Sequence, residues 1–231
     1  MSIAERILYE DNHIIIVNKN NNEIVQGDNS GDAPITEIVK QYIKEKYNKP
    51  GEVFLGLPHR LDRPVSGAVV LARTSKALTR LTQMFKDREI TKIYWAIVKE
   101  KPEQDEAELV DYLKKNTKQN KSYPQKDDKN GAKKANLHYK IIDKSDNFYL
   151  LEIELGTGRH HQIRAQLANI GCPIKGDVKY GYRRPNFNKG VSLHARRVEF
   201  IHPVSKELIN VTAPCGEENT WRYFSVCDDA K

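Results

Sequence analysis

No window of the 231-residue sequence approaches the roughly eighteen uninterrupted apolar residues that a membrane-spanning helix requires, and residues 1–6 lack the apolar core of a secretion signal. The expectation is a soluble, cytoplasmic protein without membrane association. Cysteine is scarce: Cys172, Cys215 and Cys227 form no CxxC pair and are odd in number, which argues against a disulfide framework or a thiolate zinc site. They read as reduced thiols. Internal repeats are also missing. What is present is a globular composition, 39% hydrophobic and 30% charged, in a chain long enough for a sizeable core. Lys+Arg outnumber Asp+Glu by 38 to 31, a net +7. Residues 112–140 carry nine lysines against Asp127 and Asp128, so the whole excess sits in that one segment. Its low hydrophobicity predicts a long solvated loop or ribbon, either a nucleic-acid-binding patch or a solubilising surface.

The β-branched run Ile14–Val17 predicts a buried strand, as does Ala68–Ala72. Between them, Ile35, Ile38, Val39, Tyr42, Ile43 and Tyr47 recur at helical spacing, with Asp32 as N-cap and Pro50-Gly51 as terminator. Ser75 is expected to cap a helix that places Leu78, Leu81 and Phe85 on one face. Strands follow at Ile93–Val98, Leu137–Ile142 and Phe148–Leu155, the last two as a hairpin. Ile163, Leu167 and Ile170 then mark a helix stopped by Gly171, and Arg197–Ile201 and Leu208–Thr212 flank a polar turn. The fold class is α+β: a mixed, mainly antiparallel sheet flanked by a few helices.

Two segments can carry chemistry. In Leu57–Gly67, Asp62 lies between Arg60 and Arg63 just before a strand, where a loop presents side chains on a rigid base. Taken alone it reads first as a turn-capping aspartate. In Leu155–Arg164, two glycines join a strand to a helix, but His161 occupies the third-glycine position of a dinucleotide fingerprint, which removes that reading. His160 and His161 are adjacent, so on a helix they would point apart, and no acidic partner follows at metal-ligand spacing. His59-Arg60-Leu61-Asp62 echoes a kinase catalytic loop, yet the other kinase elements are missing.

Together, in this order, these segments resemble the RluA-type family of RNA pseudouridine synthases. The resemblance runs from Ile7–Asp11 and Val17–Lys19 through HRLD and SG at 59–67, Lys92-Ile93-Tyr94 and GRHHQIR at 158–164. It continues through Gly171–Asp177, Tyr180-Gly181, and Leu193-His194-Ala195 to His202-Pro203. It implies isomerisation of uridine in ribosomal or transfer RNA without cofactor or metal, by a single pseudouridine synthase domain over residues 1–231. A basic insertion around 112–135 and the absence of an N-terminal S4 domain complete that picture. By the same resemblance Asp62 is the nucleophile. Tyr94 lies against the uracil, Arg164 keeps Asp62 ionised and oriented, and Arg60 fills the space left by the flipped base. His59 orders the loop at the substrate, Ile163 floors the pocket, and Arg159 and His161 join the substrate-binding set. A monomer is expected.

Some positions depart from the family pattern. Asn20-Asn21-Asn22 follows Lys19 where a KPxG-like turn is common, Val65 precedes Ser66 where Thr is usual, and His160 replaces the Thr of GRTHQIR. Catalysis is not expected to depend on the asparagine loop, and Gly176-Asp177 and Tyr180-Gly181 read as a shaped loop without a chemical role. Two other readings remain open at this level: a non-catalytic RNA-binding module, and a metal-dependent nuclease using His59, Asp62 and His160.

Overall fold

The computed structural model describes residues 2–27, 31–215 and 220–227. Its contacts divide the chain into two compact units, residues 1–90 with 195–216 and residues 91–194 with 217–231.

In the first unit, β1 (Ile7–Glu10) pairs antiparallel with β2 (Ile14–Lys19), and β2 with β3 (Ser66–Ala72), in the register Ile14↔Ala72 to Lys19↔Gly67. Ile14 to Val17 and Ala68 to Ala72 are all fully buried, as continuous β-branched and small apolar runs are when both faces of a sheet are covered. Ile14, Ile16, Ala68 and Val70 meet Ala77 and Leu81 of α2 (Ser75–Asp87). The same cluster takes Val198 and Phe200 of β9 (Leu193–Ile201) and Ile209 of β10 (Leu208–Thr212), which pairs antiparallel with β9. Each such aliphatic side chain removed from water contributes about 1.5–3 kcal/mol, which fixes the register.

Two caps differ from expectation. Thr74, one residue earlier than Ser75, accepts the Ala77 amide at the start of α2. Asp32 does not cap α1 (Ile35–Lys46), because its carboxylate is taken by Arg63, and Pro34 starts the helix with no side-chain cap. Glu10 ties α1 to the sheet instead. Its carboxylate accepts from Tyr42 Oη (2.9 Å), Lys46 Nζ (2.7 Å), Tyr47 Oη (2.9 Å) and Arg73 (3.1 Å).

The second unit is an antiparallel sheet. β4 (Thr91–Val98) pairs with β8 (Tyr149–Leu155), β8 with β7 (Lys133–Lys144), β7 with β5 (Glu106–Asn116), and β5 with the edge strand β6 (Lys121–Gln125). The basic segment is thus a ribbon rather than a loop: residues 117–120 turn β5 into β6. Pro124, which has no amide proton to give a ladder, falls on that edge strand, where it is tolerated. α3 (Gln162–Asn169) packs Ala165 against Leu113, Ala135 and Tyr180.

The apolar spacing predicted one buried face for α3, but every residue from Gln162 to Leu167 is buried. Its polar side chains are covered because they find partners. Gln162 accepts from Thr157 Oγ1 (2.7 Å) and donates to the Asn136 carbonyl (3.0 Å), while Gln166 donates to Asp111 (2.8 Å).

Candidate functional site

In the first unit, the loop before β3 is braced at every level. Gly56 exchanges two backbone hydrogen bonds with Ala72, and the Asp62 carbonyl accepts the Val65 amide at 3.0 Å, closing a turn over Arg63-Pro64. Leu61 and Val65 are buried on either side, leaving Asp62 half-buried and Arg60 exposed. His59 is turned inward. Its Nε2 accepts the Val70 amide at 2.9 Å, and its ring stacks on Phe85 with centroids 4.4 Å apart. That ring ties the loop to β3 and α2.

Beneath the turn lies Lys19, fully buried, whose Nζ donates to the carbonyls of Asn20 (2.9 Å), Glu23 (2.7 Å) and Arg63 (3.1 Å). Burial pushes its ammonium down to about 7, against the opposing pull of Glu23 and Asp62. The asparagine loop joins in: the Asn22 amide donates to the Arg63 carbonyl (2.8 Å) and Asn21 Nδ2 to that of Pro64 (2.7 Å). The loop read as dispensable is therefore bonded to the turn that carries Asp62. Single-residue spacing gives no sign of this, because the bonds run from side chain and backbone donors to backbone acceptors more than forty residues away.

Gly67 has a sharper requirement than a tight turn. It stands inside β3 with φ +114°, and a Cβ there would lie 2.3 Å from the Ala195 carbonyl oxygen of β9. Only glycine permits that approach.

In the second unit, Tyr94 is half-buried on β4, opposite Ile153. Ile163 is buried on α3. The Arg164 side chain, also buried, reaches Asp177 in bidentate fashion, Nε to Oδ2 at 2.6 Å and Nη2 to Oδ1 at 2.8 Å. Its guanidinium carbon sits 5.1 Å from the Tyr180 ring centroid. A forked pair of this kind fixes the guanidinium plane as well as its charge. Asp177 and Tyr180, read from sequence as a roleless loop, are thus the groups that orient Arg164. The Gly176-Asp177 and Tyr180-Gly181 pairs that carry part of the resemblance were the available signal.

Around Tyr180 a small polar network closes. Its hydroxyl accepts the Ser122 amide (2.8 Å) and lies 3.1 Å from His161 Nδ1. His161 takes a left-handed conformation, φ 53°, as the N-cap of α3. Because of it His160 and His161 do not diverge as helical neighbours would; their rings stack with centroids 3.8 Å apart. His160 Nδ1 contacts Ser122 Oγ (2.9 Å), and Arg159 Nε donates to the Lys134 carbonyl (3.0 Å). Both histidines are thereby engaged in structural bonds. Among the described residues no group of three or more His, Cys, Asp or Glu side chains could hold a metal ion, and no helix is long and apolar enough to cross a membrane.

Comparison with known proteins agrees in direction. A family model described as RNA pseudouridylate synthase matches residues 13–169. An uncharacterised RNA pseudouridine synthase of Synechocystis is 31% identical over 212 residues, 90% of this chain and 64% of its own length. A ribosomal large subunit pseudouridine synthase C of Buchnera aphidicola is 33% identical over 216 residues, covering 90% of this chain and 66% of that protein. This chain therefore spans just under two thirds of the length of these relatives. Among solved structures, human RNA pseudouridylate synthase domain containing 4 superposes with a TM-score of 0.78 at 23% identity, covering 93% of this chain and 90% of that one, a likeness of fold.

Proposed function

Because the chain belongs to the RNA pseudouridylate synthase family, we propose that it isomerises uridines in structured RNA to pseudouridine. The C1′–N1 bond breaks, the uracil turns, a C1′–C5 bond forms, and the C5 proton leaves as N1 gains one. Asp62 is the carboxylate that acts on the nucleoside, in keeping with covalent catalysis by an ionised side chain. Arg164 supplies the cation that orients it, Tyr94 faces the base, and Arg60 occupies the stack that the flipped uridine vacates. Arg159 adds to the substrate surface, Ile163 floors the pocket from its buried position, and His161 acts through its contact with Tyr180. The observation that carries this reading is the bracing of the Asp62 turn, in which Lys19, His59, Asn21 and Asn22 hold the backbone while the carboxylate itself stays within reach of solvent.

Ribosomal RNA is the first substrate to test, since relatives carry names that specify the large ribosomal subunit; transfer RNA is the second. The lysine-rich ribbon around 112–135 adds affinity for either. The enzyme works as a cytoplasmic monomer. RNA tritiated at uridine C5 provides the test: the wild-type protein should release tritium, and Asp62→Asn should release none while still binding the RNA. Absence of release by the wild type, with binding intact, would leave only an RNA-binding scaffold.

A further inference from the structure

The segment between the 3-10 turn Val178–Tyr180 and β9 has the construction of a platform. Its base is stitched to β4: the Lys175 amide donates to the Ile97 carbonyl (2.8 Å), the Ser192 amide to that of Lys175 (2.9 Å), and the Ile97 amide to that of Ser192 (3.0 Å). Asp177, fully occupied by Arg164 through its carboxylate, accepts the amides of Tyr180 and Tyr182 on its carbonyl, both at 3.0 Å. In the middle of the segment Asn186 is buried. Its Oδ1 accepts from Lys175 Nζ (2.6 Å), its Nδ2 donates to Ser192 Oγ (3.0 Å), and its carbonyl accepts the Lys189 amide (2.9 Å). Gly176, at φ +84°, lets the Asn186 amide approach to where a Cβ would be 2.5 Å away. A polar pin thus holds the loop from inside.

What the pin presents outward is unlike ordinary surface. Phe187 is fully exposed, and Arg183, Arg184 and Lys189 are exposed around it. Among the described residues none of these three cations has a carboxylate partner, and no acidic residue occurs from Val178 to Val198. An aromatic side chain has most to lose from such exposure. Held on a fixed loop among unneutralised cations, it suits one class of partner: a nucleic-acid strand with an unstacked base, whose face meets the ring and whose phosphates meet the guanidinium and ammonium groups.

We propose that residues 181–190 form an RNA-docking element, in which Phe187 stacks on an unpaired base of the substrate and Arg183, Arg184 and Lys189 bind the phosphates beside it. This rests on the RNA-modifying reading above and names a contact surface for it. A protein partner would need acidic side chains complementary to the same cations and would leave RNA affinity untouched by changes here.

The test uses the full chain and a fluorescent stem–loop RNA with an unpaired uridine-containing loop. Phe187→Ala should raise both Kd and KM about 5- to 100-fold, the range expected for one lost base stack, with kcat at saturating RNA unchanged. Phe187→Trp should restore both. The Arg183→Ala/Arg184→Ala double variant should reduce the slope of log affinity against log salt by about 1.4, two single-strand phosphate contacts. Kd within twofold of wild type for Phe187→Ala, or an unchanged salt slope for the arginine variant, overturns the proposal even when tritium release is normal. If the wild type binds RNA through this loop yet releases no tritium, the isomerase reading fails and the docking surface stands.

Discussion

At the scale of single residues, the charged pairs separate into those that are buried and those that only decorate the surface. Arg164 and Asp177 answer each other inside the second unit, both at or below 5% side-chain exposure. Replacing Asp177 with Asn removes the carboxylate that grips the buried guanidinium in bidentate fashion. We expect a loss of about 3–5 kcal/mol in urea unfolding, with a larger loss of tritium release than of RNA affinity, because Arg164 loses its orientation. Glu37→Gln, which breaks the exposed Lys40–Glu37 pair, should cost less than about 1 kcal/mol in the same assay.

His202 gives a pH dependence with a definite sign. Its Nδ1 accepts the amides of Val204 (3.2 Å) and Ser205 (2.8 Å), which requires the neutral ring, and its Nε2 lies 3.0 Å from Asp11. Burial lowers its pKa below 6.5, with His13 acting in the same direction and Asp11 and Glu207 against it. A folded-state pKa below the unfolded one means stability fully present above about pH 6.5 and lost as pH falls through the folded value. The thermal midpoint should therefore drop on acidification below pH 6.5. In His202→Asn that part of the drop should vanish; an unchanged pH profile would exclude His202 as its source. Asp11 is also lowered, by the amides of His13 and Ile14 outweighing burial, but its loss belongs to pH values below the ordinary carboxylate range.

At the scale of elements, β3 and β9 meet through the one residue that lacks a side chain. Gly67→Ala would place a methyl carbon against the Ala195 backbone in a left-handed conformation. We expect a loss of about 2–4 kcal/mol, read as a lower thermal midpoint; a midpoint within a degree of wild type would show that the strands can part without cost. The strands themselves were legible because β-branched runs such as Ile14–Val17 are buried on both faces and admit little else. The helix starts were less so. Asp32 has the right chemistry for an N-cap, but a cation 31 residues away competes for it, and local spacing cannot register that competition. α3 was found by its apolar positions, while its buried glutamines were invisible, since their partners lie on strands distant in sequence. For the candidate site, the motif residues could be named from their order along the chain. Their supports, Lys19, Asn21, Asn22, Asp177 and Tyr180, act through backbone acceptors and paired planes that only the folded chain displays.

At the scale of the whole molecule, the +7 charge comes down to one ribbon, with exposed Lys114, Lys115 and Lys118 at its hairpin end and the rest of the chain neutral on balance. Such an arrangement should show itself in salt dependence before it shows in chemistry. Changing these three lysines to glutamine should lower the salt slope of RNA affinity by about 2, with little effect on tritium release at saturating RNA. An unchanged slope would reduce the ribbon to a solubilising surface. On the proposed function the chemistry falls to residues outside this ribbon, so affinity and turnover should respond to different substitutions.

The pin at Asn186 carries a consequence for the loop around it. Its bonds point inward to Lys175 and Ser192 and involve none of the outward side chains at 183, 184, 187 or 189. On the docking proposal, substitutions at those four positions should alter the grip on RNA while the anchored frame beneath them stays as it is.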